Sequence, residues 1–358
     1  MSNINDYLLW RGDLSFNNSA YNEIDDMILA IFSHMPFHKI KFENDETIRS
    51  LSKKLRKLKN SEFGYKEDKA LITNLGKSNR FKNLKVTDFE SNTDKTVETQ
   101  FSALTIHLSD ETMYISFSGT DDSIVGWKED FNLSFMENIP AQIQGKNYLI
   151  KQVQKYNKRI RLGGHSKGGN IAIYSGATAP QNVQDKIVII KNFDGPGFNE
   201  NFVNSFGYKN ILPKTFSYIP QSSIIGRILE HKETFSIIKS IEKGIFQHNV
   251  YSWQVLGTKM IIDKVTNDSE FFDKTITSWL KETDPKQRKI FVDSIFELFN
   301  IANVNTLKDF SSAKVKSINV ILKSYNNIDE NEKVVIKNMI GKFLKIAGNN
   351  IFLAMKKK

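Results

Sequence analysis

Ser166 lies in a glycine-rich stretch that is typical of a reactive residue on a tight turn. Residues 163–169 read GGHSKGG and fit the pattern G-x-S-x-G. In such a turn the serine sits between a strand and a helix, and neighbours without side chains let the two elements approach closely. The start of the helix also offers unpaired N–H groups to a developing oxyanion. The pattern predicts that Ser166 attacks an acyl carbonyl.

The same pattern has a simpler interpretation, because glycine-rich loops also close strands and bind phosphate. A phosphate-binding Walker loop needs G-x-x-x-x-G-K-[ST], and the glycines before Lys167 do not have that spacing. A nucleophile's turn has a strand before it and a helix after it. The run RIRLGGH before Ser166 and the small apolar residues of 168–179 after it supply both.

A serine nucleophile needs a base whose pKa lies near neutrality, which means histidine. The chain has six histidines: His34, His38, His107, His165, His231 and His248. In proteins with this turn the chain order is serine, acid, histidine, which leaves the last two. His231 follows a segment that is predicted to be helical, where a surface or capping role fits. His248 follows the last predicted strand and is predicted to be the base, whereas His165 is expected to pack or hydrogen-bond.

The acid of the site has several candidates. Asp194 stands at the carboxyl end of the predicted strand 185–194, and an acid only has to reach the histidine Nδ1. As an alternative, Asp194 is a turn residue that bonds its own backbone ahead of Gly195. We predict Asp194 as the acid, with Glu230 and Asp122 as weaker candidates.

A second motif, SFSGTDDSIVGWKEDF at residues 116–131, precedes the serine turn. Together the two motifs resemble the lipase class 3 branch of the α/β-hydrolases, which has F-R-G-[ST] at a strand end, then a Trp, then G-H-S-x-G-G. Ser118 stands where that branch usually has arginine. The stretches NEIDDMIL, GTDDSIVGWKEDF, GHSKGGNIA, DGPGF and IPQSSIIG further resemble an uncharacterised bacterial group of lipase-like proteins, over roughly residues 4–350.

This resemblance implies an α/β-hydrolase-type, mostly parallel sheet and a serine hydrolase that cleaves carboxylic esters such as acyl lipids. It implies oxyanion donors from Thr120 and from the backbone N–H of Lys167, and a late histidine before an aromatic pair, as at His248. The branch usually carries its acid after the strand KTFSYIP, where this chain has no carboxylate. Pancreatic-type lipases place it after the earlier strand, as at Asp194. Residues 131–145 are expected to contribute to an acyl site or a lid, and no cofactor or metal is implied.

Strands alternate with helices through the middle of the chain, which favours a mostly parallel sheet. Helices are predicted at 21–37 with Asn22 as N-cap, at 45–60 and at 147–156, and strands at 98–110, 112–120 and 214–220. Asp130 is expected to cap or tether a helix that begins near Trp127. From about 268 the pattern is helical, with helices at 284–300, capped by Asp284, and at 329–348. We predict a helical N-terminal region 1–85 packed on the core, a hydrolase core 86–267 and a basic helical region 268–358.

The net charge of +10 is concentrated in residues 38–85 and 285–358. Basic flanks favour anionic lipid or a protein partner, so a non-catalytic binding or delivery protein on a hydrolase scaffold is the alternative function. Solvated lysine-rich helix faces explain the same charge. No nucleic-acid-binding motif occurs, and the absence of cysteine excludes disulfides and thiol nucleophiles. With no signal-like N-terminus and no run of roughly 18 apolar residues, we expect a cytoplasmic location, with signal-less export as the alternative.

Overall fold

The computed structural model describes residues 2–94, 96–120, 124–223 and 225–301, together with 330, 333–334 and 337–338. The strands are β1 Glu46–Thr47, β2 Lys85–Asp94, β3 Thr99–His107, β4 Met113–Phe117, β5 Ile160–His165, β6 Ile187–Phe193, β7 Thr215–Pro220, β8 Thr234–Ile238, β9 Val255–Leu256 and β10 Lys259–Met260. The α-helices are α1 Ile4–Arg11, α2 Glu23–Phe32, α3 Ile48–Leu55, α4 Asp68–Lys77, α5 Ile124–Asn132, α6 Pro140–Tyr156, α7 Lys167–Thr178, α8 Gln181–Gln184, α9 Glu200–Val203, α10 Phe206–Ile211, α11 Asn267–Glu282 and α12 Pro285–Ile301.

The first eight of these strands form one sheet in sequential order from β1 to β8. β3 and β4 are antiparallel, with Ala103 opposite Phe117, and β4 to β8 pair in parallel. Each parallel crossover moves one strand further in the same direction, so right-handed connections place their helices on the same face of the sheet. This mostly parallel sheet with flanking helices confirms the predicted α/β-hydrolase fold class.

Strand β4 shows how the two faces of the sheet are covered. The hydroxyls of Tyr114 and Ser116 point to one face and donate to the backbone oxygens of Asp26 and Leu29 in α2, each over 2.9 Å. Phe117 points to the opposite face and packs edge-on against Tyr148 of α6. Successive side chains of a strand alternate in this way. The N-terminal helix α2 and the crossover helix α6 therefore cover opposite faces.

Helix α2 is buried along its whole length, as its nearly continuous apolar sequence predicts. Asn22 caps it, because its side-chain oxygen accepts a hydrogen bond from the Ile24 N–H at 3.0 Å. In turn the Asn22 N–H donates to the Asp25 carboxylate, which completes a capping box. The predicted N-cap is confirmed. Asp25 also forms a fully buried bidentate pair with Arg80, at 2.7 Å to Nε and 2.5 Å to Nη2. This pair fixes α2 to the segment that precedes β2.

The predicted basic helix at 45–60 is confirmed in its centre and is shorter than expected. α3 runs from Ile48 to Leu55, and its apolar residues are buried while its basic residues lie outside. Ser52 donates to the Ile72 oxygen of α4 at 2.5 Å, and a Cβ at Gly76 would lie 2.3 Å from Ser52 Oγ. The two helices thus approach closely along one line, because Gly76 has no side chain.

The chain forms two compact units. The first comprises residues 1–92, 101–119 and 141–266, and the second comprises 93–100, 120–140 and the described residues from 267 onward. Within the second unit, Lys128 pairs with Glu98 at 2.7 Å and with Asp293 at 2.9 Å. Phe131 of α5 packs edge-on against Phe296 of α12. The three-region division predicted from sequence stays a prediction.

Helix α12 begins where the sequence places it. The Asp284 carboxylate accepts from the Gln287 N–H at 2.9 Å, and Pro285 is the first helical residue. The predicted helix 329–348 lies largely outside the described residues. In the part of the chain that is described, no helix has the length and apolarity that a membrane crossing needs.

Candidate active site

Ser166 occupies a strained turn between β5 and α7. Its φ of 57° and ψ of −134° lie in a region that L-residues rarely adopt. A Cβ at Gly164 would lie 2.3 Å from the Gly168 carbonyl carbon, and a Cβ at Gly168 would lie 2.1 Å from the Phe117 oxygen. Side chains at these two glycines would therefore separate the strand, the turn and the helix. The Ser166 N–H donates to the Phe193 oxygen at 2.9 Å, which places the turn beside the end of β6.

Asp194 and His248 form a direct hydrogen bond. His248 Nδ1 lies 2.7 Å from Asp194 Oδ2, and the other carboxylate oxygen accepts from Ser223 Oγ at 2.5 Å. The Asp194 side chain is buried, whereas 19% of the His248 side chain is exposed. The two carboxylate oxygens thus contact residues 29 and 54 positions away rather than the local turn. The Gly195 N–H in that turn bonds Asn192 Oδ1 instead, at 2.9 Å.

His248 ends a short 3₁₀ helix, Gly244–His248, that is fixed from both sides. Trp253 is fully buried and its Nε1 donates to the Gln247 oxygen at 2.7 Å. His165 Nε2 lies 2.8 Å from the His248 carbonyl oxygen, and because a carbonyl only accepts, this nitrogen of His165 carries the proton. Burial holds the pKa of His165 well below its usual value, with His248 adding to that shift.

The three predicted residues are brought to one end of the sheet. Ser166 follows β5, Asp194 follows β6, and the two elements touch through the Ser166 N–H bond to Phe193. His248 contacts Asp194 through its ring and His165 through its carbonyl. In the described part of the chain, no hydrogen bond joins Ser166 Oγ to His248. Catalytic hydrogen bonds are often long in structures without substrate and tighten when it binds.

The two predicted oxyanion donors, Lys167 and Thr120, belong to different units of the chain. Lys167 is the first residue of α7, and its side chain is buried. In the second unit, Thr120 Oγ1 donates to Asp130 Oδ2 at 2.5 Å. Asp130, expected to cap or tether the neighbouring helix, thus binds the threonine ahead of it. Asp122 lies outside the described residues.

The expected helix before His231 is wrong. Among the described residues of this segment, Ile225–Arg227 forms a short 3₁₀ turn, and Gly226 packs against Asp194. The Gly226 N–H donates to Ser223 Oγ at 3.0 Å, and a Cβ there would lie 2.2 Å from Asp194 Oδ1. His231 Nδ1 lies 2.8 Å from Glu233 Oε1. Burial opposes ionisation of Glu233, but the attraction of His231 and the hydrogen bonds from His231, Ser217 and Tyr208 together hold the Glu233 pKa at about 2.

Glu230 lies apart from the candidate triad. It bridges to Phe198 through its backbone, and its carboxylate lies 3.6 Å from the Lys232 ammonium. Among the residues that are described, no three His, Asp or Glu side chains are arranged to hold a metal ion.

The sequence did not indicate that Ser223 contacts Asp194 or that His34 contacts Gly119. Ser223 lies in the stretch IPQSSIIG, which contributed to the resemblance but had no assigned role. The chain order serine, acid, histidine does not point to His34, because His34 precedes the serine. The His34 Nε2 accepts from the Gly119 N–H at 3.1 Å. A hydrogen bond to backbone has no sequence signature, so only the folded structure reveals this contact.

Solved structures similar to this chain include several lipases. A fungal lipase–inhibitor complex is 17% identical over 44% of this chain and 66% of its own, with a TM-score of 0.34. The propeptide complex of Rhizomucor miehei lipase is 15% identical over 53% and 66%, with a TM-score of 0.36. M37 lipase is 15% identical over 58% and 70%, with a TM-score of 0.37. The chain spans about two thirds of the length of the first two lipases.

A comparison with curated proteins gives no match. The family model described as Mbeg1-like matches residues 75–297, which is more than half of the chain and includes the serine turn, Asp194 and His248. Together with the mostly parallel sheet, this match shows that the chain belongs to the Mbeg1-like family and has a lipase-like α/β-hydrolase fold.

Proposed function

We propose that the protein is a serine hydrolase that cleaves carboxylic esters through Ser166, His248 and Asp194. The observation that carries the proposal is the hydrogen bond of 2.7 Å between His248 and Asp194, beside a serine with strained backbone at the start of a helix. A buried carboxylate that orients a histidine next to such a serine is the arrangement that acyl transfer requires.

Each residue has a distinct role in the proposed reaction. His248 Nε2 removes the Ser166 hydroxyl proton while Oγ attacks the acyl carbonyl carbon, and Asp194 holds the imidazole in the Nδ1–H tautomer. The Lys167 backbone N–H donates to the resulting oxyanion, and the lipase class 3 resemblance assigns a second donor to Thr120. The imidazolium then protonates the leaving alcohol. A water molecule, deprotonated by His248, hydrolyses the acyl-enzyme and restores the serine.

Acyl lipids are the proposed substrate class. The resemblance to lipase class 3 supports this class, and the segment around α5 exposes the apolar side chains of Phe131 and Met136. We propose that residues 131–145 contribute to acyl binding or to a lid.

Labelling with a fluorophosphonate tests the proposed triad. We expect wild type to be labelled, Ser166→Ala and His248→Ala to lose labelling, and Asp194→Asn to be labelled roughly 10³-fold or more slowly, because the histidine then adopts the wrong tautomer. His107→Gln is the matched control, since His107 bonds Thr87 and lies on β3. Absence of labelling in folded wild type, or retained labelling in His248→Ala, would contradict the proposal.

A specific observation favours a second role, peripheral contact with anionic lipid. α3 and α4 line a groove of about 420 Å³ with four exposed cations, Arg49, Lys53, Arg56 and Lys77. In the described residues none of the four is ion-paired, whereas Lys54 on another side of α3 pairs with Glu46 at 2.8 Å. Like charges at this helical spacing repel each other, and an anion between them would offset that cost.

Sedimentation with vesicles rich in phosphatidylglycerol tests this second role. We expect wild type to bind at low salt. Arg49→Gln/Arg56→Gln is expected to bind roughly 30-fold more weakly, because each of the two lost cations contributes about 1 kcal/mol at an anionic surface. Lys57→Gln/Lys66→Gln removes the same charge outside the groove and serves as control. Equal weakening in both double variants would show that only overall charge matters and would contradict a role for the groove.

A further inference from the structure

His34 connects the N-terminal helix α2 to the end of strand β4. It follows the Ser33 cap of α2, and its own N–H donates to the Ile31 oxygen at 3.0 Å. Its ring Nε2 lies 3.1 Å from the Gly119 backbone nitrogen. Because a backbone N–H only donates, His34 Nε2 is the acceptor and the ring proton is on Nδ1. The contact therefore requires a neutral imidazole.

Gly119 is confined between His34 and the serine turn. A Cβ at Gly119 would lie 2.8 Å from His34 Cε1, 2.6 Å from the His165 oxygen and 3.1 Å from Ser166 Cβ. The backbone at Gly119 therefore touches the nucleophile's turn directly and has no room for a side chain. It is also one peptide bond before Thr120. The hydrogen bond from His34 fixes the position of the backbone that borders Ser166.

The ring of His165 lies between the rings of His34 and His248. The His34 centroid lies 5.4 Å from that of His165, and the His165 centroid lies 4.5 Å from that of His248. Three imidazoles thus form a continuous row from α2 to the loop of the base. Burial, with a further contribution from His248, lowers the pKa of His34 to about 4, which keeps it a hydrogen-bond acceptor near neutral pH.

We propose that His34 is a positioning residue of the hydrolase site, which holds the Gly119 backbone against the turn of Ser166 through its Nε2. The inference rests on the proposed hydrolase function. It makes the N-terminal helix part of the active site rather than only a cover for the sheet. His34 does not touch the reacting atoms; it acts through Gly119 and the row of rings.

Two substitutions at His34 distinguish a role in positioning the Gly119 backbone from a role in packing alone. His34→Leu keeps apolar bulk and removes the acceptor, whereas His34→Gln places an amide oxygen near the position of Nε2. We expect His34→Leu to lower kcat for a soluble p-nitrophenyl ester roughly 10- to 100-fold with KM within about twofold, because sub-ångström misplacement affects the transition state more than binding. His34→Gln is expected to recover most of the lost kcat. His107→Leu, on β3, is the control.

Hydrogen exchange at the Gly119 amide gives a readout that does not depend on activity. We expect exchange to be at least about tenfold faster in His34→Leu than in wild type and near wild type in His34→Gln. Unchanged Gly119 exchange in His34→Leu, or equal losses of kcat in both His34 variants, would overturn the inference. If wild type turns over no ester, the hydrolase proposal fails, and Gly119 exchange alone decides whether His34 holds this backbone.

Discussion

Both oxygens of the Asp194 carboxylate are engaged, one by His248 and the other by Ser223. Asp194 itself has a φ of 56°, so the residue is held in a left-handed conformation that a free chain rarely adopts. The Ser223 hydroxyl is in turn positioned by the Gly226 N–H. The orientation of the Asp194 carboxylate therefore depends on a loop that lies far from it in the sequence.

Removing the Ser223 hydroxyl tests this dependence. We expect Ser223→Ala to lower kcat roughly tenfold with little change in KM, because a hydrogen bond to a buried carboxylate contributes about 1.5–3 kcal/mol and part of that orients the histidine. Ser222→Ala is the matched control, since the Ser222 hydroxyl bonds Thr266 instead. Steady-state kinetics on a soluble ester measure the effect. Equal loss in both variants would show that the loop, not the hydroxyl, determines the rate.

The lowered pKa values of His34 and His165 make folding stability depend on pH. Burial lowers the pKa of His34 to about 4 and that of His165 well below its usual value. Between about pH 6.5 and pH 4 the unfolded chain binds the protons that the folded chain rejects, so each histidine lowers the free energy of unfolding as pH falls through that window.

Urea unfolding at pH 7.5 and pH 5 checks the sign and the size of this effect. Between these pH values, we expect the free energy of unfolding of wild type to fall by about 1–2 kcal/mol more than that of His34→Gln. The effect is expected toward the lower end of this range, because the His34 ring keeps some solvent exposure. His107→Gln, in which a less buried histidine is removed, is expected to change the difference less. A larger loss of stability in His34→Gln than in wild type would contradict the assignment.

At the scale of elements, helix α2 depends on a buried ion pair at its first turn. Asp25 and Arg80 have side chains with no solvent exposure, and Arg80 also donates to two backbone oxygens before α2. Breaking one side of such a pair leaves a buried charge without compensation.

Arg80→Met is therefore expected to lower the free energy of unfolding by about 3–5 kcal/mol. Chemical denaturation measures this, with Lys82→Met as control because Lys82 lies two residues away and is only partly buried. A shift in the denaturation midpoint no larger than that of the control would show that the pair is not important for stability.

The elements with strong local patterns could be predicted from sequence, whereas those defined by long-range contacts could not. The alternation around Ser166 predicts β5 and α7, and Asn22 predicts the start of α2. Strand β8 was missed because its residues Thr234 and Phe235 are exposed and its partner is β7, so no inward apolar run marks it. The apolar spacing of the stretch IIGRILE predicts a helix. The structure has a short 3₁₀ turn there, in which Gly226 packs against Asp194.

The same distinction between local patterns and long-range contacts applies to the candidate site. Ser166 and the order of acid and base follow from local motifs and known chain order. The choice between Asp194 and a later carboxylate is not encoded locally, because it depends on which loop reaches His248. The hydrogen bond of Ser223 to Asp194 spans 29 positions of sequence, and that of the Gly119 N–H to His34 spans 85, so spacing carries no information about either contact.

At the scale of the whole molecule, the N-terminal helix α2 packs directly on the central sheet. Nine residues of α2 are buried, and the hydroxyls of Tyr114 and Ser116 lose their acceptors without it. Its apolar side chains each contribute about 1.5–3 kcal/mol on burial, so together they match a typical domain stability of about 5–15 kcal/mol.

We therefore expect the chain without residues 1–37 to lack a cooperative thermal transition. Circular dichroism during heating measures this, and adding back a peptide of residues 1–37 is the control, because it restores the same buried surface. A cooperative transition in the truncated chain would show that the sheet is stable without α2.

The positive φ of Ser166 has a consequence for how such a chain evolves. Serine at this backbone conformation costs roughly 1–2 kcal/mol that glycine would not. In a descendant that no longer uses the hydroxyl, selection for stability would thus favour a glycine at this turn. A serine that persists there across lineages would indicate that the hydroxyl is still used. Its replacement by glycine would mark a descendant that lacks the nucleophile.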